Sequence, residues 1–316
     1  MPLIDYHSDG WVPNAKYEGI IANANAICAE YLAQQFDLTL RQLYYQFVAR
    51  GLFTNVQENY DLLGRVCVKA REHGLMDWRY LVDRTRNLVV VPHWETPADI
   101  LASAAESFRL DKWADATHMV EVWVEKEALA GIIQRAAADV DTAAFPCRGY
   151  VSTSEVWVAS QRIVSYIEDG RELTILYLGD HDPSGLQMSD DITRRLELYV
   201  GGHVGADVDK LHIKRIALTM AQIAQYNPPP DFAKTTDSRY QSYIQRTGQN
   251  QSWELDALDP NVLLALIEAE VLALRDETVW DAASAEEDEH RRLLGAVRDR
   301  WTQVTEYVDQ LEGENP

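Results

Sequence analysis

The 316-residue sequence predicts an α/β protein in three parts: a helical N-terminal region, a parallel sheet with connecting helices, and a helical, acidic C-terminal region. Three observations predict it. Leu173-Thr174-Ile175-Leu176-Tyr177-Leu178-Gly179 is an apolar run rich in β-branched and aromatic residues, the pattern of a strand buried in a parallel sheet. From Val120 onward such runs alternate with helical segments, the order expected of a layered parallel sheet. Before them, residues 14–73 place apolar side chains at helical spacing.

Each element follows in order. Residues 14–36 form the first helical segment, and residues 38–53 the second, with Thr39 placed to cap it and Gly51 to end it. A third helix fits Glu58–His73, with Gly74 as its stop, and a short Trp78–Val82 helix precedes the β-rich Asn87-Leu88-Val89-Val90-Val91. Three helices and a strand wing describe a winged-helix module over residues 1–93, which serves either as plain packing or for entry into a DNA groove. Residues 94–117 read as a helical connector. In residues 118–258, strand Val120–Val124 ends at Glu125 and a helix runs from Lys126 to about Ala138. A strand at Ala143–Cys147 precedes Gly149, and a helix spans Ser154–Glu168. Strand 173–179 leads to a helix at Ser184–Leu198 and a strand at Leu211–Leu218. Asn227-Pro228-Pro229-Pro230 is an extended loop, and residues 261–310 of the acidic C-terminal region 259–316 are helical.

Composition narrows the class. At 47% hydrophobic residues the chain can bury a full core. No secretory leader and no apolar stretch of membrane-spanning length is read, so a cytoplasmic protein is expected, with no membrane partner; nucleoid association is expected only with action on DNA. Cys28, Cys67 and Cys147 are far apart and odd in number, which suits a reducing compartment and ordinary buried thiols. The net charge of −21 opposes nucleic acid in general, but it is unevenly spread. Residues 1–110 hold 10 basic and 13 acidic side chains, whereas residues 252–316 hold 5 and 17. The N-terminal region is thus free to present a basic face.

Asp180-His181-Asp182-Pro183-Ser184-Gly185 follows the 173–179 strand directly. Open α/β sheets take their ligands at the carboxyl ends of strands. Asp180 and Asp182, two residues apart in a turn, can aim at one point, while His181 between them alternates to the other side. Glu125 ends another strand and can join them. Three carboxylates with no His or Cys suit Mg²⁺ or Mn²⁺. Upstream, Thr39-Leu40-Arg41-Gln42-Leu43-Tyr44-Tyr45 sets Arg41 four residues before Tyr45, on one helix face. A guanidinium there can bind a phosphate or stabilise a phenolate.

These residues resemble a known family. Glu125-Lys126-Glu127-Ala128-Leu129 and Asp180-His181-Asp182-Pro183-Ser184-Gly185 look like the two acidic motifs of a Toprim domain. Their order after Arg41-Gln42-Leu43-Tyr44-Tyr45 is similar to the topoisomerase VI A subunit and its meiotic double-strand-break relatives. Gly149-Tyr150 resembles the family's Gly-Tyr element, and Trp253-Glu254-Leu255-Asp256-Ala257-Leu258 its closing element. The chain departs from the family after Gly149-Tyr150, reading Val151-Ser152-Thr153-Ser154-Glu155 in place of Pro-Asp and a Thr-Arg pair.

The resemblance implies a winged-helix domain followed by a Toprim domain, with Tyr45 as nucleophile and Glu125, Asp180 and Asp182 holding Mg²⁺. It implies cleavage of double-stranded DNA through a 5′-phosphotyrosyl link, by a homodimer in which the tyrosine of one protomer serves the metal site of the other. No ATP-binding motif is apparent, so ATP-driven strand passage requires a separate ATPase subunit or does not occur. Two alternatives stand beside this expectation: a Toprim nuclease using metal-activated water, as in phage or plasmid defence, and a non-catalytic assembly or DNA-mimic homologue.

Overall fold

The computed structural model describes residues 3–6, 10–34, 36, 38–82, 91–232 and 237–313; of the strand expected at 87–91, residues 87–90 lie outside them. In chain order the elements begin with α1 (Ala15–Ala33), α2 (Leu40–Ala49), α3 (Gln57–Glu72) and α4 (Pro97–Ser107). The α/β segment follows: β1 (His118–Val124), α5 (Ala130–Asp139), β2 (Ala143–Pro146), α6 (Thr153–Glu168), β3 (Glu172–Leu178), α7 (Pro183–Gly201) and β4 (Leu211–Ala217). Then come α8 (Met220–Tyr226), β5 (Asp231–Phe232), α9 (Tyr240–Thr247), β6 (Gln251–Ser252), α10 (Pro260–Leu272), α11 (Glu277–Asp299) and α12 (Trp301–Gly313).

These elements divide into two compact units, Met1–Arg86 with Val120–Ala273, and Asn87–Met119 with Leu274–Pro316. The division differs from the four consecutive segments expected from sequence. The stretch read as a connector supplies α4, which packs along α11. The first part of the stretch read as an acidic C-terminal region supplies α10, which belongs to the first unit and packs on α5 through an apolar face that buries Leu263, Ile267 and Val271.

In the first unit, α1, α2 and α3 close around Ile27, Leu43, Phe47, Leu63 and Val66. Thr39 caps α2 reciprocally: its hydroxyl accepts the Gln42 N–H at 3.3 Å, and the Gln42 side chain accepts the Thr39 N–H at 2.8 Å. The chain leaves α3 through Gly74 at φ +67°, where an added Cβ would stand 2.9 Å from the Ile4 carbonyl carbon.

The sheet of this unit has the order β2-β1-β3-β4, with parallel pairing that sets Glu121 beside Ala143 and Leu173 beside Leu211. β1 and β3 are central. All of β3 beyond Glu172 is buried, which accounts for its unbroken apolar run, whereas the edge strand β4 alternates in exposure. A charge is also buried on β1: Glu121 accepts Arg162 Nε at 2.7 Å and Nη2 at 2.9 Å, and Trp123 Nε1 at 2.9 Å. The chain moves outward from β1 to β2, returns to β3 and moves outward again to β4. The order therefore reverses between β1 and β3, and their carboxyl ends flank the crevice where such sheets take ligands. Lys126, expected to begin a helix, is instead extended (φ −98°, ψ 127°); a 3₁₀ turn at Glu127–Leu129 precedes α5.

The second unit is helical. Glu287 of α11, 4% exposed, accepts the Leu110 N–H at 2.9 Å and pairs with Lys112 at 3.1 Å and Arg291 at 2.8 Å. One member of the acidic run Glu286-Glu287-Asp288-Glu289 is thus an interior anchor. No described helix is long and apolar enough to cross a membrane.

The α2 cap yields a direct expectation. Thr39→Ala should lower stability by about 1 kcal/mol, and Thr39→Ser should retain most of it, read as shifts of the urea midpoint at constant slope.

Candidate functional site

The turn after β3 is held by three devices. Glu125, just past β1, donates its N–H to the Leu178 carbonyl at 2.9 Å, and its Oε2 accepts the Asp180 N–H at 3.0 Å. Arg215 on β4 donates to the carbonyls of Gly179 (2.8 Å), Asp180 (2.5 Å) and Gly185 (3.2 Å). The third device is the absence of side chains: a Cβ on Gly179 would meet Glu125 Oε2 at 2.6 Å, and one on Gly185 would collide with the Asp180 carbonyl oxygen. Asp182 caps α7, accepting the Gly185 N–H and the Ser184 hydroxyl, the latter at 3.0 Å.

His181 lies on the other side, as its position between the aspartates implied. Its Nδ1 donates to the Leu218 carbonyl at 3.1 Å, and its ring packs against Tyr243 and Trp253. Its backbone pairs both ways with Trp253, at 2.8 and 3.0 Å. That pairing brings segment 253–256 alongside the acidic turn, where the Leu255 N–H donates to Asp180 Oδ1 at 2.7 Å.

Lys126 stands at the centre of this group. Its Nζ lies 3.1 Å from Asp180 Oδ2, 2.9 Å from Glu254 Oε2 and 2.9 Å from Asp256 Oδ1. Arg41 reaches the same carboxylates from α2, hydrogen-bonding Glu254 and approaching Asp256 Oδ2 at 3.1 Å. Burial, then the neighbouring Asp180 charge, pushes the Glu125 carboxyl up to about 8. Burial raises Asp180 to about 6 against the pull of Lys126. Glu254 behaves oppositely: burial raises it, but Lys126 and Arg41 outweigh burial and hold it near 2.

The two tyrosines of α2 have separate roles. The Tyr44 hydroxyl accepts the Val56 N–H at 2.8 Å and donates to the carbonyl side of the same loop, so it serves packing. The Tyr45 hydroxyl accepts from Arg41 Nη2 at 3.4 Å, and the same guanidinium holds Glu254 beside it. Burial first, then the charges of Glu254 and Asp256, raise its pKa above the ordinary phenol value, with Arg41 opposing. The phenol is therefore held protonated.

A cavity of about 630 Å³ opens over this group, and Arg41, Tyr45, Asp182, Ser184, Arg239 and Glu254 are among its lining residues. Arg239 is oriented by Asp237 at 2.7 Å and by the Tyr150 hydroxyl at 2.6 Å, which gives the Gly149-Tyr150 pair a place at the rim. Asp231 and Asp237 also line the wall, so four carboxylates face two guanidinium groups across it.

The structure thus brings Arg41 and Tyr45 to Glu254, and Glu125, Asp180 and Asp182 to the carboxyl ends of β1 and β3. Among the described residues no three acidic, His or Cys side chains converge on one point. The positive charge at the centre of the acidic group is the Lys126 ammonium, a stand-in for a cation. The carboxylates around that charge are Asp180, Glu254 and Asp256; Glu125, Asp180 and Asp182, the oxygen-only set expected to hold Mg²⁺ or Mn²⁺, share only Asp180 with them. From sequence, Lys126, Glu254 and Asp256 lie within the quoted motifs but carry no assigned role, and Arg239 is not marked at all. The signal available was weak: Lys126 is flanked by two glutamates, and Glu254 and Asp256 repeat the two-residue spacing of Asp180 and Asp182. Comparison of the chain with protein-family models, with curated proteins and with solved structures finds no match.

Two measurements probe this construction. Lys126→Met should lower stability by about 3–5 kcal/mol in denaturant titration, because it strands enclosed carboxylates without a counter-charge. Gly185→Ala should lower it by about 1–3 kcal/mol through overpacking against Asp180, whereas Gly19→Ala on the exposed face of α1, with nothing within 4 Å, should raise it by about 0.5–1 kcal/mol.

Proposed function

We propose that the chain cleaves DNA by transesterification through Tyr45, as a topoisomerase VI A-like enzyme combining a winged-helix region with a Toprim domain. The observation that carries this reading is that Tyr45 and Asp182 line one cavity and that Tyr45 is linked to the acidic turn through Arg41, Glu254, Lys126 and Asp180. DNA is the partner that a phosphate-directed tyrosine and a Toprim-like acidic turn would serve.

A divalent cation held by Glu125, Asp180 and Asp182 would supply charge neutralisation and orientation of the scissile phosphate. The rest falls to the chain's own residues. Tyr45 attacks phosphorus in line; the Tyr45 Oη–P bond forms as the P–O3′ bond breaks, leaving a 5′-phosphotyrosyl link and a 3′-hydroxyl. The phenolic proton passes to the neighbouring Glu254 carboxylate, and through solvent to the departing 3′-oxygen. Arg41, between Tyr45 and Glu254, stabilises the developing phenolate. Reversal of the same steps reseals the strand.

One observation favours a second reading, a Toprim nuclease in which water attacks: the Tyr45 phenol is enclosed and held protonated. The two readings part in one experiment. Supercoiled plasmid is incubated with the protein and Mg²⁺ at low salt, since phosphate-driven binding weakens steeply with salt. Transesterification predicts protein covalently attached to 5′ ends, loss of adduct and cleavage in Tyr45→Phe, and loss of both in Asp180→Ala. Free 5′-phosphate ends with Tyr45→Phe fully active would establish the nuclease, and an absence of cleavage under every divalent cation would rule out both.

A further inference from the structure

We infer that the helical unit joins two copies of the chain, with α12 of each copy antiparallel against the end of α11 and the open face of α4 of the other. None of this depends on the cleavage reading; every residue involved belongs to the second unit. The starting point is what that unit leaves uncovered. Among its described residues only Trp113 and Ala116 are apolar and buried, and α4 buries none of its residues. Helices hide an apolar stripe against a second layer, and here that layer is incomplete. Two apolar areas stay open. Leu293 and Val297 on α11 form one with Ile100 on α4; Tyr307, Val308 and Leu311 on α12, between 44% and 61% exposed, form the other. One stripe runs through both helices, since Leu294, Val297, Trp301, Val304, Val308 and Leu311 recur at alternating spacings of three and four.

Charge and connection name the occupant. Arg292, Arg298 and Arg300 flank the first area, whereas Glu306 and Asp309 flank the second and α12 contains no Lys or Arg. The two areas are thus opposite in sign, yet α12 does not fold back onto its own α11. Arg300 alone separates the helices, and an antiparallel helix pair needs a connection of about 2–5 residues. The match therefore comes from another chain. A foreign basic helix would cover α12 and leave the arginine-flanked area bare, whereas a second copy covers both at once. Only the antiparallel arrangement puts unlike charges together. With Trp301 set opposite Val304 of the other copy, Val297 falls opposite Val308, and Arg298 and Arg300 bracket Glu306. Each pairing then occurs twice about a two-fold axis, the mark of a self-complementary surface. Arg298 is otherwise engaged by its neighbour Asp299 at the surface, a contact of little worth. The end of α11, α12 and the open face of α4 together offer roughly the 20–30 residues a side of a stable interface.

The test is the mass of the full chain by sedimentation equilibrium, without nucleic acid or added metal, from micromolar concentrations upward. The protein should reach twice the 35.9 kDa chain mass within that range. Val308→Glu combined with Leu311→Glu changes exposed positions only, so circular dichroism should be unaltered while association weakens roughly a hundredfold or more. Leu198→Glu, at an exposed position on α7, should leave association intact. Charge reversal gives a second, independent arm. Arg298→Glu with Arg300→Glu should weaken association roughly tenfold or more, because acid then meets acid. Adding Glu306→Arg and Asp309→Arg to that variant should restore it, since reversing both signs recovers the antiparallel match. A monomer at every concentration would overturn the inference, as would association of unchanged strength in the Val308→Glu and Leu311→Glu variant. Arginine reversals without effect, or an effect that the acidic reversals do not rescue, would also overturn it. Any of these results leaves the role proposed for Tyr45 to its own assay.

Discussion

One ammonium group holds the centre of this molecule together. Lys126 Nζ contacts carboxylates from the turn after β3 and from segment 253–256, and those carboxylates in turn hold the arginine of α2. Asp256 is fully enclosed and Asp180 nearly so, so neither can turn to water for compensation. Isolated buried carboxylates cost far more than one ion pair returns, which is why the cluster holds as a unit or not at all. The extended backbone at Lys126 follows from the same demand. A helix beginning at Lys126 would carry the ammonium away from the sheet edge, and the 3₁₀ turn delays that helix by several residues.

Around that charge the sheet supplies position and the glycines supply closeness. The reversal of strand order sets Glu125 beside Asp180 without any special loop. Gly179 and Gly185 let the turn and the first residues of α7 lie against the Glu125 carboxylate, at separations that no side chain would permit. Arg215 then satisfies three carbonyls that this tight path turns inward. Acidic groups, turn and counter-charges are thus one compact object, built by residues from β1, β3, β4 and segment 253–256.

What could be read beforehand was local. The apolar run of β3, the carboxylate ending β1, the Thr39 cap and the stop at Gly74 each depend on neighbours in sequence, and each has the structural place its chemistry demanded. Likewise, the alternation at His181 correctly put its ring away from Asp180 and Asp182. The rest depends on partners far away in the chain. Lys126 meets Glu254 across 128 positions and Arg41 meets it across 213, and no periodicity encodes such pairings. Two adjacent tyrosines on one helix look alike in sequence; only the loop at Val56 and the carboxylate of Glu254 distinguish Tyr44 from Tyr45. The pairing of α4 with α11 was hidden for the same reason, since a short helix between two regions has the composition of a connector wherever it docks.

That last pairing bears on how the protein is made. α4 and α11 are separated by roughly 170 residues of chain, about 10–30 s of synthesis at ordinary translation rates. Throughout that interval α4 has emerged without its helical neighbour, and Leu110 and Lys112 await a glutamate not yet added. The intervening segment, by contrast, contains every strand of the parallel sheet and can gather its own core as it appears. Order of assembly is thereby written into the path of the chain: the sheet matures while the smaller helical unit waits for its closing strokes.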